Sequence, residues 1–351
     1  MRFVVNDVAA VPNGGGVYSI LEDFYNQVLK EDHENEWFFI LAGKYFKESQ
    51  NVKIIVRDDL KKSKVKKFLF ETLIGGKYIN SFNPDVYISL QNIATLNVRA
   101  TQKIVYLHQP IPFVKEKTFK FLKKDERKLA FYQRAVGKII KMTLKKVQPT
   151  VIVQTEWMRR RVMEQAAVTK ISVVHPKVGI ATEGKKYSGN GKSFFYPASN
   201  FVYKNHEVIY KAILELQNRG IDDFKVVFTL SQNQLPYKNR HIQYLGHISR
   251  KKVMNMYTNN ILLFPSYIES FGLPLIEAAM HADIVLAANT EFARELLGNY
   301  NNVYFYSSTD FCKLASLMEK TIKREIISNG TELSVKNTGE NLLDTIKECI
   351  K

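Results

Sequence analysis

The sequence predicts an α/β protein made of two doubly wound domains, each built on a parallel sheet. Short apolar runs rich in Val, Ile and Phe alternate with segments of helical period. The runs are nearly continuous in hydrophobicity, which is typical of strands that a parallel sheet buries on both faces. The alternation stops once, at a polar, glycine-rich stretch, and then restarts. A length of 351 residues also favours two domains.

The first half of the chain begins with an apolar run and an amphipathic helix. Residues 17–31 predict this helix, because four apolar residues recur on one side of it: Ile20, Leu21, Phe24 and Val28. Helical stretches separate most of the apolar runs that follow. The predicted strands are residues 3–11, 37–43, 52–56, 85–90, 103–108 and 150–155.

The second half repeats the pattern after the polar stretch 176–193. We therefore predict an N-terminal domain (1–178), a linker (179–193), a C-terminal domain (194–330) and a closing helix (331–351) that packs back on the N-terminal domain. Ligands of such sheets bind beyond the carboxyl ends of the strands, so we expect the site in a cleft between the domains. The predicted strands are residues 194–199, 225–230, 242–246, 261–266, 283–288 and 303–306, and the helices are 206–220, 250–258, 274–281 and 309–325.

The chain is basic, and its positive charge is concentrated in the first half. The formal net charge is +17, and residues 1–180 hold 31 Lys and Arg against 17 Asp and Glu. This asymmetry predicts an acidic partner, such as a phosphorylated ligand, an anionic membrane or nucleic acid; simple solubility is the alternative. Two distant cysteines, Cys312 and Cys349, argue against a disulfide framework. No apolar run is long enough to span a membrane, so we expect a cytoplasmic protein.

The stretch PSYIESFGLPLIEAAMHAD (265–283) holds the most informative pattern. Glu269 lies in the loop after a predicted strand, and Glu277 lies about one turn inside the next helix. Gly272 lets a ligand approach the backbone, and Pro274 suits the first turn of the helix. The N–H groups of that turn attract anions, above all phosphate. The segment can therefore hold a phosphate by its backbone and a polyol by its carboxylates, although both glutamates could also be merely solvated.

This stretch resembles the donor-binding segment of the GT4 family of retaining glycosyltransferases, which have the GT-B fold. The E-x7-E pair, the S-F-G-L-P insert and the E-A-A-M run all match, and the rest of the chain follows the family's order more weakly. The resemblance implies that Glu269 contacts the transferred sugar and Glu277 the ribose of a nucleoside diphosphate sugar. The backbone amides of Phe271, Gly272 and Leu273 would then contact the sugar and the diphosphate.

Two further segments resemble the family's phosphate contacts. Gly14, Gly15 and Gly16 follow the first strand, where the family has a glycine-rich loop facing the diphosphate and the acceptor. Lys204 matches the lysine that neutralises the diphosphate. The arginine that accompanies it in the family would fall near Ala198 or Ser199 and is absent, so Ser199, other amides or Arg250 would have to compensate.

Two features of the basic half bear on the reaction and its location. His108 ends a predicted strand, where the family has a histidine near the reaction centre, although packed histidines are common. Residues 116–147 mix Lys and Arg with apolar residues at near-helical spacing. This segment predicts either contact with an anionic membrane or a core helix with one solvated basic side.

The resemblance therefore implies a retaining glycosyltransferase, with Glu269, His108 and Lys204 in the catalytic centre. It would move a sugar from a nucleotide-sugar donor to a hydroxyl of a lipid-linked glycan acceptor in the synthesis of a cell-surface polysaccharide. We expect no cofactor, and the absence of any Asp-x-Asp motif agrees with the metal-independent chemistry that the resemblance to the GT-B fold implies. The alternative is a non-catalytic scaffold that binds a nucleotide-sugar or a membrane. Nucleic acid is not an expected partner, because no binding motif occurs and the aromatic spacing is typical of a core.

Overall fold

The computed structural model describes residues 1–12, 16–176, 178, 186–333 and 341–350. The chain forms two compact units, which we call unit 1 (Met1–Pro176 with Thr338–Lys351) and unit 2 (Lys177–Asn337). Part of the predicted linker packs within unit 2, because Tyr187 N–H donates to the carbonyl of His281 at 2.7 Å. The start of the predicted closing segment also contacts unit 2, because Leu333 N–H donates to the carbonyl of Ala279 at 3.0 Å.

Unit 1 contains a parallel sheet whose described strands have the order β3-β2-β1-β4-β5-β6-β7. The first strand is shorter than the predicted 3–11, because the Asp7 carboxylate accepts a hydrogen bond from Ala10 N–H at 3.2 Å and turns the chain there. The strands are β1 (Arg2–Asp7), β2 (Glu36–Leu41), β3 (Val52–Val56), β4 (Val86–Ser89), β5 (Gln102–Tyr106), β6 (Thr150–Val153) and β7 (Ile171–Val173).

Helices cover both faces of this sheet. Phe3 and Val5 of β1 belong to the apolar cluster shared with the first and last helices, whereas Val4 belongs to the cluster on the opposite face. The helices are α1 (Gly16–Glu31), α2 (Asp58–Lys62), α3 (Lys64–Leu69), α4 (Gly75–Asn80), α5 (Arg127–Phe131), α6 (Gly137–Val147), α7 (Glu156–Ala166) and α13 (Leu342–Ile350), with π-helical turns at Phe70–Ile74 and Tyr132–Val136 and a 3₁₀ turn at Ile111–Phe113.

Unit 2 contains a second parallel sheet, with its described strands in the order β10-β9-β8-β11-β12-β13. Its strands are β8 (Ser193–Tyr196), β9 (Lys225–Phe228), β10 (Ile242–Tyr244), β11 (Ile261–Phe264), β12 (Val285–Ala288) and β13 (Val303–Tyr306). Its helices are α8 (His206–Asn218), α9 (Arg250–Met256), α10 (Leu273–Ala279), α11 (Glu291–Leu297) and α12 (Phe311–Ile322), with 3₁₀ turns at Val202–Lys204 and Gln232–Gln234. The predicted fold class, two doubly wound α/β sheets, is confirmed.

Both sheets reverse their strand order at one point, and these points matter for function. In unit 1 the reversal lies between β1 and β4, and in unit 2 it lies between β8 and β11. Loops that leave the carboxyl ends of two such strands diverge and leave a crevice between them, where ligands of open α/β sheets bind. In unit 2 these two loops are residues 197–205 and 265–272.

Candidate active site

The two loops at the reversal point of unit 2 bring Lys204 and Glu269 together. Lys204 ends a 3₁₀ turn after β8, and its ammonium group forms an ion pair with the Glu269 carboxylate in the loop after β11. Both side chains are mostly buried, with 18% and 16% of their surfaces exposed. A charged pair in this position is only partly screened by water, so it can act strongly on a ligand beside it.

The backbone holds these two loops in a fixed relation. Tyr267 N–H donates to the carbonyl of Tyr203 at 3.1 Å, and the Asn205 side-chain amide donates to the carbonyl of Pro265 at 3.3 Å. Ser266 Oγ donates to Glu269 Oε1 at 2.7 Å, on the same oxygen that Lys204 contacts. Glu269 is therefore oriented by two donors on one oxygen.

Glu277, the residue predicted to contact the ribose, is almost fully buried within unit 2. Only 1% of its surface is exposed. Tyr257 donates its hydroxyl to Glu277 Oε2 at 2.9 Å, and Arg250 forms an ion pair with Oε1. Burial, together with the negative charge of Glu277, raises the pKa of Tyr257 well above its ordinary value, so that Tyr257 remains a donor. Arg250 has 54% of its side chain exposed, so it is the partner of Glu277 that meets solvent, whereas Tyr257 is fully buried.

The turn between the two glutamates requires a glycine. Gly272 has φ +98°, in the left-handed region, and a Cβ there would lie 3.2 Å from Leu275 Cδ1. Helix α10 begins at Leu273 and ends at Ala279, two residues earlier than predicted. In its first turn Pro274 has no N–H, and Leu275 N–H donates to the carbonyl of Gly272 at 2.9 Å. Phe271 is buried, with 5% of its surface exposed.

A cavity of about 690 Å³ lies within unit 2 at the carboxyl ends of β8, β9 and β10. Ser199 contributes to its lining, whereas Lys204, Glu269 and Glu277 do not. Its size is typical of small-molecule sites. Most of its polar lining comes from residues that sequence reasoning missed: Thr229, Ser231, Asn233, Gln234 and His247. The sequence feature that could have identified them is their position at or just after the carboxyl ends of the strands β9 and β10.

His108 lies in unit 1, after the carboxyl end of β5. Asn92 Oδ1 accepts from the backbone N–H groups of His108 (2.7 Å) and Gln109 (2.8 Å), so that the amide nitrogen of Asn92 faces His108 Nε2 at 3.2 Å. Since that amide nitrogen can only donate, Nε2 accepts and the imidazole proton lies on Nδ1. Burial, together with the nearby positive charge of Lys67, lowers the pKa of His108 to about 4. His108 is therefore a neutral hydrogen-bond donor.

The glycine-rich loop is described in part. Gly14 and Gly15 lie outside the described residues. Gly16 begins α1 and is exposed, with open space where a Cβ would lie. Across the described ranges, no group of three or more His, Cys, Asp and Glu side chains is arranged to hold a metal ion.

Residues 183–337 match the family model described as Glycosyl transferases group 1. Over this region, 155 of the 351 residues, the chain is similar to group 1 glycosyltransferases. The matched region contains the Lys204–Glu269 pair, Gly272 and Glu277. The family match also favours the predicted enzyme over a non-catalytic scaffold. No curated protein matches the chain.

Several solved glycosyltransferase structures resemble the whole chain. TarM superposes at a TM-score of 0.64 and 10% identity, over 94% of this chain and 93% of its own. WaaG, a glycosyltransferase involved in lipopolysaccharide biosynthesis, gives 0.60 and 13% identity over 92% and 91%. Anabaena Alr3699/HepE, in complex with UDP and glucose, gives 0.60 and 13% identity over 100% and 98%. At such low identities the likeness establishes the shared GT-B fold, as predicted.

Proposed function

We propose that this glycosyltransferase moves a sugar from a nucleoside diphosphate sugar to an acceptor hydroxyl with retention of the anomeric configuration. The observation that carries the proposal is the Lys204–Glu269 ion pair, which lies at the reversal point of the unit 2 sheet and beside the turn at Gly272. Glu269 would accept hydrogen bonds from the sugar. Lys204 would exchange part of its contact with Glu269 for the diphosphate.

The remaining parts of the donor would occupy neighbouring features of unit 2. We assign the diphosphate to the backbone amides of Phe271, Gly272 and Leu273 and the ribose to Glu277, with Arg250 displaced from its outer oxygen. The cavity at Ser199 would hold the nucleoside, since it lies on the side of β8 away from β11. The complex of Anabaena Alr3699/HepE with UDP and glucose supports a uridine nucleotide as the first donor to test.

The proposed chemistry depends on electrostatics and positioning. The bond between the anomeric carbon and the diphosphate breaks as the acceptor oxygen attacks from the same face, and the departing diphosphate takes the acceptor's proton. Lys204 would stabilise the charge that develops on the diphosphate. We further propose that His108 of unit 1 takes part in the reaction as a neutral hydrogen-bond donor, and that Gly14, Gly15 and Gly16 contact phosphate or acceptor through their backbone. We propose that no metal and no cofactor takes part, so activity should survive EDTA.

We infer a lipid-linked glycan acceptor and a peripheral position on the cytoplasmic face of the plasma membrane. No helix in the described part of the chain is long and apolar enough to cross a membrane. The basic segment 116–147 divides in the structure: Phe119, Ile140 and Leu144 are buried, whereas Phe121, Leu122 and Phe131 are exposed. This exposed apolar tip beside basic side chains supports contact with an anionic membrane. The likeness to WaaG supports a cell-surface polysaccharide pathway.

The donor can be identified by thermal shift, followed by a transfer assay. We expect one of the UDP-, GDP- or dTDP-sugars to raise the melting temperature of the wild-type protein. Glu269→Ala should abolish transfer while the protein remains folded, and Glu269→Gln should keep the shape and lose the charge. Full transfer activity in Glu269→Ala, or the absence of stabilisation by every donor, would contradict the proposal.

A further inference from the structure

Unit 1 exposes an unusual group of large apolar side chains on one helical segment. The segment joins α3 to the following π-helical turn, and none of the six residues of α3 is buried. We call its exposed side chains the 65–74 surface. They are Val65 (67% exposed), Phe68 (46%), Leu69 (37%), Leu73 (64%) and Ile74 (57%). Single exposed apolar residues are ordinary, but a contiguous group marks a contact with another molecule.

This segment is firmly attached, so its exposed side chains are a property of the fold and not of a frayed end. Ser63 caps α3 by accepting a hydrogen bond from Lys66 N–H at 3.2 Å. The Glu71 carboxylate points into unit 1, where it accepts from the Gln91 amide at 2.7 Å and from Thr95. Phe70 is buried in the core on the same side. The segment thus buries a carboxylate and exposes leucine and isoleucine, which is the reverse of the usual pattern on a protein surface that faces water.

The charges around the 65–74 surface indicate the kind of partner. Lys64, Lys66 and Lys77 are exposed beside it, whereas the exposed Lys62 forms an ion pair with Asp58. In the fully described stretch from 63 to 76, the one acidic residue is the buried Glu71. An apolar surface flanked by lysines matches the boundary of an anionic bilayer, where acyl chains take the apolar side chains and headgroups take the ammonium groups.

We propose that the 65–74 surface docks on an anionic lipid bilayer. It differs from the tip at Phe121, Leu122 and Phe131, because it belongs to other elements of unit 1. Lys67 of the same segment lies close enough to act on the charge of His108. Docking through this surface would therefore place the membrane near the carboxyl edge of the unit 1 sheet, where the proposed acceptor site lies. The interaction itself requires neither donor nor transfer.

Vesicle sedimentation of the full chain tests the proposal. The probes are phosphatidylcholine vesicles with and without about 30% phosphatidylglycerol, in about 0.15 M salt. The wild type should bind the anionic vesicles and bind the neutral ones weakly. Leu73→Ser with Ile74→Ser should weaken binding at least about tenfold, because two inserted side chains are lost. Lys64→Ser with Lys66→Ser should weaken binding and reduce its dependence on salt.

Matched variants distinguish the 65–74 surface from the exposed apolar side chains elsewhere on the chain. Ile327→Ser removes an equally exposed isoleucine (59%) from unit 2 and should leave binding unchanged. Leu122→Ser reports the contribution of the other tip. Melting temperature and stabilisation by the donor should stay at wild-type values in every variant, which keeps this test independent of the proposed transfer. Unchanged binding in both double variants, equal binding to neutral vesicles, or a dimer that the Leu73→Ser and Ile74→Ser changes dissociate would overturn the proposal.

Discussion

Lys204 and Glu269 form an ion pair, and this pairing allows both charged side chains to occupy a mostly buried position. Each is an unfavourable group to bury alone, and together they hold two loops of unit 2 at a fixed separation. A diphosphate that binds Lys204 therefore meets a group that is already in place. Preorganised charge of this kind stabilises a transition state more than charge that must move into position.

We predict that Lys204→Ala lowers kcat by about 100-fold to 1000-fold, because it removes one cation from the departing diphosphate. Lys204→Arg should recover part of the loss, since it restores the charge with a different shape. Steady-state kinetics with the identified donor provide the measurement. Lys211→Ala is the control, because Lys211 forms an exposed ion pair with Glu207 in the same unit. If Lys204→Ala and Lys211→Ala have the same kcat, Lys204 does not act on the leaving group.

The state of His108 gives a prediction that does not require an assay of transfer. Its pKa of about 4 means that it stays neutral from about pH 5.5 to about 8. ¹⁵N NMR should find its proton on Nδ1, since the Asn92 amide donates to Nε2. Asn92→Asp should move the proton to Nε2 and raise the pKa, because a carboxylate there accepts. A proton found on Nε2 in the wild type would refute the assignment.

The same shift has a consequence for stability. The pKa of His108 in the folded state lies below its ordinary value of 6.5, so the unfolded chain takes up the proton first as the pH falls. The contribution of this group to the free energy of unfolding is therefore complete above about pH 6.5 and is lost as the pH falls towards about 4. Asn92→Asp should raise the pKa of His108 in the folded state, so the pH range over which this contribution to stability is lost should become narrower.

The residues that contact the site side chains were the part of the site that the sequence predicted least well. Glu269 and Glu277 could be singled out from their spacing and their resemblance to a family, because both lie in one short stretch. Glu277 contacts Tyr257 and Arg250. Arg250 begins α9 and Tyr257 directly follows that helix, and no local sequence pattern connects either residue to Glu277. Asn92 was missed for the same reason, since its contact with His108 spans two strands.

At the scale of elements, the turn at Gly272 determines where α10 begins. Its φ of +98° is unfavourable for any residue with a Cβ, and Leu275 and Phe264 pack around it. The direction of α10, and with it the amides of Phe271, Gly272 and Leu273, follows from this conformation. The proposed diphosphate contact is thus a property of a whole turn and cannot be assigned to one side chain.

Gly272→Ala should weaken donor binding more than it weakens the fold. We expect the strained φ to cost about 1 kcal/mol or more of stability and donor affinity to fall at least about tenfold, as the turn relaxes away from its present shape. Gly220→Ala is a close control, because Gly220 also has a left-handed φ (+72°) but open space around it and lies away from the site. Isothermal titration with the donor, beside chemical denaturation, measures both effects. Equal donor affinity in the two variants would exclude a role for the turn.

The elements themselves followed well from sequence, with instructive exceptions. Strands such as β11 and β12 are buried along their whole length, so continuous hydrophobicity was a sufficient signal. Segment 116–147 was harder, because its apolar residues serve two purposes. Phe119 is fully buried, while Leu122 is 95% exposed, and helical spacing alone cannot distinguish these environments. The π-helical turn Tyr132–Val136 further shifts the register between α5 and α6.

At the scale of the whole molecule, the C-terminal helix of the chain packs against the N-terminal unit. Unit 1 includes Thr338–Lys351, although unit 2 lies between them in sequence. Helix α13 places Leu343 and Ile346 in the cluster that contains Leu21 and Phe24 of α1. The GT-B fold thus makes the folding of unit 1 depend on the last residues of the chain. The length of 351 residues and the restart of the pattern predicted two domains, and the sequence analysis also predicted a closing helix that packs back on the N-terminal domain.

Leu343→Ala tests this dependence, because it removes a fully buried side chain from a core that belongs to unit 1 alone. We expect it to lower the free energy of unfolding of unit 1 by about 2–5 kcal/mol, the usual cost of such a cavity. Hydrogen exchange followed by mass spectrometry should show faster exchange in β1, β2 and α1. Peptides from β8, β11 and α8 should keep their protection, because the buried residues of the cluster that holds Leu343 and Ile346 belong to unit 1. Glu348→Ala, on the exposed side of the same helix, should leave both units unchanged. Equal loss of protection in unit 2 would mean that the two units unfold together and that α13 supports the whole molecule.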